Sequence, residues 1–351
     1  MTRMFALLAL GVLAVGCSRS SPKVSLAGAS ASVPGRATST TRTALPVRWN
    51  TQLTIAAPRA TAEWQPLWVA AGANGEYVFD DASGLLYAFD NAGRPRWHVG
   101  DLRKNGGRFQ VVRDLREGPD HRIWVLDVGT TSISVVDTSG SVVRRIPLDS
   151  VGYCEKILPL ANGDFVAWRS DDSMPFALVN QQGHVVRTAR FPWSGYAALP
   201  GVSRFGSMAS DTGNSWSFAF SDGDGWFAFD SMTARPFAGH FVEPVAFPAV
   251  LKIVEGRRTT WKLPHRTMAA LATSLDADHL YVVFGGQGPD RARRIDLYDP
   301  HSGRYQGTWP LPFAVNEVSR AGNRWTFITR GASPKVVVMT ADGAAQPRAG
   351  T

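Results

Sequence analysis

The stretch Gly75-Glu76-Tyr77-Val78-Phe79-Asp80, followed by Gly84-Leu85-Leu86-Tyr87-Ala88-Phe89-Asp90 and the turn Asn91-Ala92-Gly93, decides how the rest of the chain is read. Two short runs of aromatic and β-branched residues, each bounded by turn formers, predict a pair of strands, and the run from Arg94 to Val99 predicts a third. The same arrangement returns 47 residues later as Arg122-Ile123-Trp124-Val125-Leu126-Asp127, Ile133-Ser134-Val135-Val136-Asp137, a turn ending at Gly140 and the run from Val142 to Leu148. Tyr77 maps to Trp124, Asp80 to Asp127, Asp90 to Asp137 and Gly93 to Gly140, all at one offset.

Looser copies follow, and an aromatic stands at or near the start of each second strand: Tyr77, Trp124, Phe165, Trp216, Tyr281 and Trp325, at intervals of 47, 41, 51, 65 and 44 residues. Six units with a period mostly in the forties and several strands apiece predict an all-β fold, a six-bladed β-propeller. A blade packs both faces against its neighbours, so its middle strands favour aromatic and β-branched side chains. The six aromatics are therefore expected in the core, the competing reading being a platform on which sugars stack. The Asp/Asn-x-x-Gly turns need no calcium, because Asp and Asn bond their own local backbone and Gly supplies positive φ.

The sixth unit runs out of strand-like sequence at Gly343. The stretch 47–56, Val47-Arg48-Trp49 through Leu53-Thr54-Ile55-Ala56, precedes the first unit and belongs to no repeat. It is expected to close the ring as a strand of the last blade, which removes exposed sheet edges.

The N-terminus reads as an export signal. Arg3 is followed by an uncharged run from Met4 to Gly16, about 20 Å long as a helix and short of the ~30 Å hydrocarbon core of a bilayer. The run ends in Leu13-Ala14-Val15-Gly16-Cys17, which resembles the lipobox of bacterial lipoproteins, although Ala14 stands where that family prefers leucine. The resemblance implies cleavage before Cys17 and lipid on its sulfur and amino group; an ordinary export signal is the other reading. Several acyl chains make a stable anchor where one does not. Residues 18–45 are Ser, Thr, Ala, Gly and Pro with scattered cations, a composition too poor in apolar side chains to order itself, and are read as a flexible tether. The expected organisation is signal peptide 1–16, lipid-anchored tether 17–45, propeller 46–343 and tail 344–351. Removing 18–45 is then expected to be harmless, and removing 18–57 is not.

Composition excludes several classes. With 44% hydrophobic and 19% charged residues and no second long apolar run, the chain is anchored by its end and not threaded through a membrane. The formal charge of +8 is dispersed in short clusters such as Arg257/Arg258 and Arg291/Arg293/Arg294. Export argues against nucleic acid, leaving anionic lipid or an envelope polymer as the sensible attraction. Only Cys17 and Cys154 exist, so a disulfide framework is out, and Cys154 is read as a packed core residue.

Around the second unit, Phe109-Gln110, then Gly118-Pro119-Asp120-His121-Arg122-Ile123-Trp124-Val125-Leu126-Asp127 and the run from Ile133 to Gly140, is similar to an NHL-type repeat, and 46–343 is similar to the six-bladed propeller lipoproteins of bacteria. That resemblance implies a fold and a location in the cell envelope, the outer membrane in preference to the inner because Ser18, not Asp, follows the cysteine. It implies no single activity, since such propellers serve as binding platforms, as scaffolds in envelope complexes and as hydrolases.

The hydrolase alternative, a metal-dependent lactonase-like enzyme, places carboxylate and amide ligands on several inner strands of the channel. Ten residues before each aromatic stand Leu67, Asp114, Glu155, Gly206, Leu271 and Val315, of which only Asp114 and Glu155 could ligate. Hard divalent cations want about six oxygens. Asp114 and Glu155 are therefore read as channel-mouth positions that could face a ligand, or as partners of Lys156 and Arg113. No His-Glu-x-x-His, Gly-x-Ser-x-Gly or phosphate-cradling loop occurs, so catalytic residues, metal and cofactor are all expected to be absent. The seven histidines fall mostly at turns, where exposure is the plain expectation. The sequence predicts a binding or scaffolding module for an envelope protein or polymer, held to the membrane through its N-terminal lipid.

Overall fold

A computed structural model describes residues 23–27, 41–58, 63–100, 109–170, 174–191, 195–196, 199, 204–211, 215–229, 237–248, 250–255, 258–262 and 267–342. The signal segment, Cys17 and the tail 344–351 lie outside the described residues.

Six four-stranded antiparallel sheets make a six-bladed β-propeller. In chain order the strands of the first five blades are β3 (Pro66–Gly72), β4 (Gly75–Asp80), β5 (Leu85–Phe89), β6 (Pro95–Val99); β7 (Val112–Glu117), β8 (Ile123–Asp127), β9 (Ser132–Val136), β10 (Val142–Pro147); β11 (Lys156–Pro159), β12 (Phe165–Trp168), β13 (Phe176–Val179), β14 (Val185–Ala189); β15 (Gly206–Ser210), β16 (Trp216–Phe220), β17 (Trp226–Phe229), β18 (Phe237–Gly239); and β21 (Ala270–Leu275), β22 (Leu280–Phe284), β23 (Arg294–Tyr298), β24 (Tyr305–Pro310). The sixth consists of β25 (Val315–Ala321), β26 (Arg324–Thr329), β27 (Val336–Asp342) and, beside β27, the N-terminal strand β2 (Arg48–Ile55). The first strands of the blades meet one another around the axis in the order β25, β3, β7, β11, β15, β21 and back to β25.

The strands alternate apolar faces as both-side burial demands, and the buried side chains fall into six clusters, each between two neighbouring blades. The six repeat aromatics are inside these clusters, Tyr77 and Phe165 fully and Tyr281 to within 5%. They are core, not a stacking platform. Cys154 is buried between the second and third blades, and burial, reinforced by the charges of Glu155 and Asp114, pushes its thiol up to about 12.

The turns behave as local chemistry requires. Asp90 Oδ1 accepts the N–H groups of Ala92 and Arg94 at 2.9 Å, and Asp137 Oδ1 accepts those of Ser139 and Ser141 at 2.9 Å. Gly93 and Gly140 close these turns at φ 75° and 90°, where a side chain is strained. The repeat's other aspartate does a different job. Asp127, at the end of β8, accepts the N–H of Gln110 at 2.9 Å and of Val111 at 2.8 Å, and Asp80 accepts that of Gln65 at 2.6 Å, so each ties down the chain entering its blade's inner strand.

β2 pairs antiparallel with β27 from Arg48↔Asp342 to Ile55↔Val336. Trp49 sits edge-on to Trp309, Trp325 and Phe327 at 5.7–6.0 Å, and its Nε1 donates to Pro310 O at 2.8 Å. The preceding residues correct the expected 17–45 tether, which does not run free to its end. Thr43 and Leu45 bond Thr308 on β24 (2.9 Å each way), and Arg42 reaches the fully buried Asp296 of β23 through Nη2 at 2.9 Å and also pairs with Glu243. Further back, β1 (Lys23–Ala27) joins the hairpin β19 (Val250–Glu255) and β20 (Arg258–Lys262), an insertion between the fourth and fifth blades.

Candidate functional site

The ten-residue count from each aromatic lands at the start of every inner strand, at one end of the channel. Asp114 is the third residue of β7, and Glu155 immediately precedes β11. Asp114 is buried, and its carboxylate accepts the Ile157 N–H at 3.0 Å, meets Arg116 Nε at 3.1 Å and lies 3.5 Å from Lys156 Nζ. It clamps the second blade to the third with donors on both oxygens, which a metal would have to displace. Glu155 is nearly buried and faces Arg113 at 3.9 Å. The structure brings these two acids to adjacent blades but gives each its own cation.

Deeper in, Glu317 of β25 looks into the channel. Water reaches its side chain while protein surrounds it, so burial pushes its carboxyl up to about 7 against the charges of Lys156 and Arg116, with Asp114 adding to the rise. Arg116 and Glu317 each stand two residues past the counted positions Asp114 and Val315. The count takes one position per strand and stops short of both; β25 also carries a β-bulge between Val315 and Glu317, and β7 one between Val112 and Asp114.

At the other end, where the inner strands finish, the channel widens into a cavity of about 740 Å³ to which all six blades contribute. Its floor includes Arg116, and its walls carry Glu117, Asp276, Ser319, Arg320 and Arg324. Asp276 accepts the N–H groups of Asp278 (3.0 Å) and His279 (2.8 Å), the Tyr281 hydroxyl (3.0 Å) and Arg320 Nη1 (2.6 Å). Burial works to raise its carboxyl, but the hydrogen bonds from His279 and Arg320 win and hold it well below the usual carboxylate range. Asp276, Asp278 and His279 come within 4.8 Å of one another, yet Asp276 is committed to its own turn and to Arg320. Two histidines differ from the exposed expectation: His240, bonded to Asp224 at 2.6 Å, and His279 keep only 10% and 14% of their side-chain surface.

No protein-family profile matches the chain, and no curated protein does. Solved structures do. Virginiamycin B lyase from Staphylococcus aureus, in its catalytically inactive H270A form with quinupristin, superposes with a TM-score of 0.51 at 14% identity, over 84% of this chain and 99% of that one. A streptogramin B lyase gives 0.51 at 12%, over 84% and 98%. A member of the DUF4221 family from Bacteroides vulgatus gives 0.50 at 9%, over 84% and 98%. At such identities the likeness establishes the propeller fold alone.

Proposed function

We propose that the chain is an exported lipoprotein with NHL-type repeats, anchored through Cys17 in the cell envelope, whose propeller binds an envelope protein or polymer at the cavity where its inner strands end. The observation that carries this reading is the cavity itself: about 740 Å³, built jointly by six blades, with Asp276 and Arg320 holding each other and Arg324 held by Glu76 and main-chain carbonyls. Such a concave, pre-formed surface with a few fixed polar groups is how binding sites are built. The uncharged run before Cys17 and the Leu13-to-Cys17 motif support the anchor.

Site-directed photo-crosslinking in cells tests the reading. A crosslinker at Ala161 or Ala277, both on the cavity rim, is expected to capture a discrete partner, whereas one at Val186, exposed on an outer strand, is not. Capture from Val186 as readily as from the rim would overturn the assignment of the face.

A further inference from the structure

The cavity's charged groups are not equivalent. Arg320 is held by Asp276 and lies over the rings of Tyr281 and Trp325 at 4.6 and 5.2 Å. Arg324 is bound to Glu76 at 2.9 Å, to Asn91 Oδ1 at 2.7 Å and to the carbonyl of Gly72. Arg116 is engaged at the other end of its guanidinium: only its Nε is bonded, to Asp114, and among the described residues neither terminal nitrogen takes a hydrogen bond or ion pair. Its side chain keeps 23% exposure on the cavity floor.

Of the acceptors nearby, Asp276 is filled as described, and Glu117 receives the Ala73 N–H at 3.1 Å and meets His121 Nδ1 at 3.2 Å, both on Oε1. Ser319 Oγ accepts the Ala71 N–H at 2.9 Å, which leaves its hydroxyl hydrogen to give. The cavity's spare donors include the two terminal nitrogens of the Arg116 guanidinium on its floor and the Ser319 hydroxyl on its wall. A guanidinium fork of this kind matches the paired oxygens of a carboxylate or a tetrahedral oxyanion.

We infer that the cavity floor is an oxyanion site in which Arg116 grips a carboxylate, sulfate or phosphate group of the ligand and Ser319 adds a hydroxyl donor. The inference rests on the binding role given to this cavity and names the chemistry of what enters it. Behind the site the balance of charge is set by four groups, Lys156 of β11, Arg116 and Asp114 of β7, and Glu317 of β25; these are the charged groups that act on Glu317. With both acids ionised they cancel. With Glu317 protonated the net charge is +1, so an arriving anion and a proton on Glu317 favour each other. Burial already holds Glu317 near the middle of its titration at neutral pH.

Thermal melting of the purified full chain decides this, with sodium sulfate compared with sodium chloride at equal ionic strength. The wild-type midpoint is expected to rise saturably by roughly 2–5 °C at pH 6 and by less at pH 8. Arg116→Lys keeps a cation for Asp114 but loses the fork, and is expected to melt near the wild type without sulfate and to lose the saturable rise. Glu317→Gln is expected to show the same rise at both pH values. A saturable response surviving in Arg116→Lys overturns the role of Arg116, and no response to sulfate, succinate or glycerol 3-phosphate overturns the site. Response to succinate alone assigns a carboxylate; response to the other two assigns a tetrahedral anion. Rim crosslinks without any anion response would leave the binding face standing while this inference falls, and the reverse would do the opposite.

Discussion

Arg42 is the residue whose removal should cost most for its size. Asp296 has no exposure and depends on Arg42 Nε and Nη2 and on Thr308 Oγ1, which donates at 2.5 Å. Arg42→Ala strands a buried carboxylate with a single hydroxyl partner, a class of change that costs about 3–5 kcal/mol. Denaturant melts of Arg42→Ala are expected to show a loss of that order, and Arg42→Ala combined with Asp296→Asn a smaller one, because the amide carries no charge to leave unpaired. Glu317 gives a pH signature of the opposite kind. Its folded carboxyl keeps a proton up to about pH 7, while the unfolded chain releases it near 4.5. The fold therefore binds more protons across that window, and the stability that Glu317 contributes is full below about 4.5 and lost as pH rises through 7. Glu317→Gln is accordingly expected to melt above wild type at pH 8 and level with it at pH 4. A gain that is the same at both pH values would remove titration from the explanation.

Among the elements, β2 makes the sharpest test. Deleting 18–40 spares the contacts of Arg42, deleting 18–45 removes Arg42 and the pairing of Thr43 and Leu45 with Thr308, and deleting 18–57 also takes the strand that carries Trp49 and the buried Ile55. Melting points are expected to fall in that order, with the third lowest by the worth of one buried and one partly buried large side chain, about 2–5 kcal/mol, plus an opened edge on β27. Equal midpoints for the second and third deletions would mean that β2 does not close the ring. This ladder replaces the simpler expectation that everything before residue 46 is dispensable. The difference shows what a sequence discloses. Strands, turns and the aromatic of each second strand were legible because their causes are local: alternation, Asx hydrogen bonds, a glycine at positive φ. The stretch 47–56 was legible by being left over. Arg42 was not, since its partner lies 254 residues away, and serine- and alanine-rich flanks gave no sign of it. Nor were Arg116 and Glu317, because a count of one position per strand stops two residues short of both, and the bulge between Val315 and Glu317 cannot be seen by counting along the chain.

At the scale of the whole molecule, stability is distributed around a ring of six inter-blade clusters, and whatever holds the N-terminus acts on that ring from outside. Cys17→Ser is expected to move the protein from the membrane to the soluble fraction with its melting point unchanged; mass spectrometry of the mature N-terminus checks the premise, and an unmodified terminus beginning beyond residue 17 would remove it. The route of the chain between that cysteine and the ring matters mechanically. A pull on the N-terminal segment does not arrive first at Arg48, the end from which β2 could be peeled off β27. It arrives at β1, paired with β19 of the hairpin between the fourth and fifth blades, and then at Arg42 and the short pairing with Thr308 on the fifth blade. The load is taken up at these attachments, and the joint that unites the two ends of the chain stays slack behind them, as a cable is clamped to the chassis ahead of its plug.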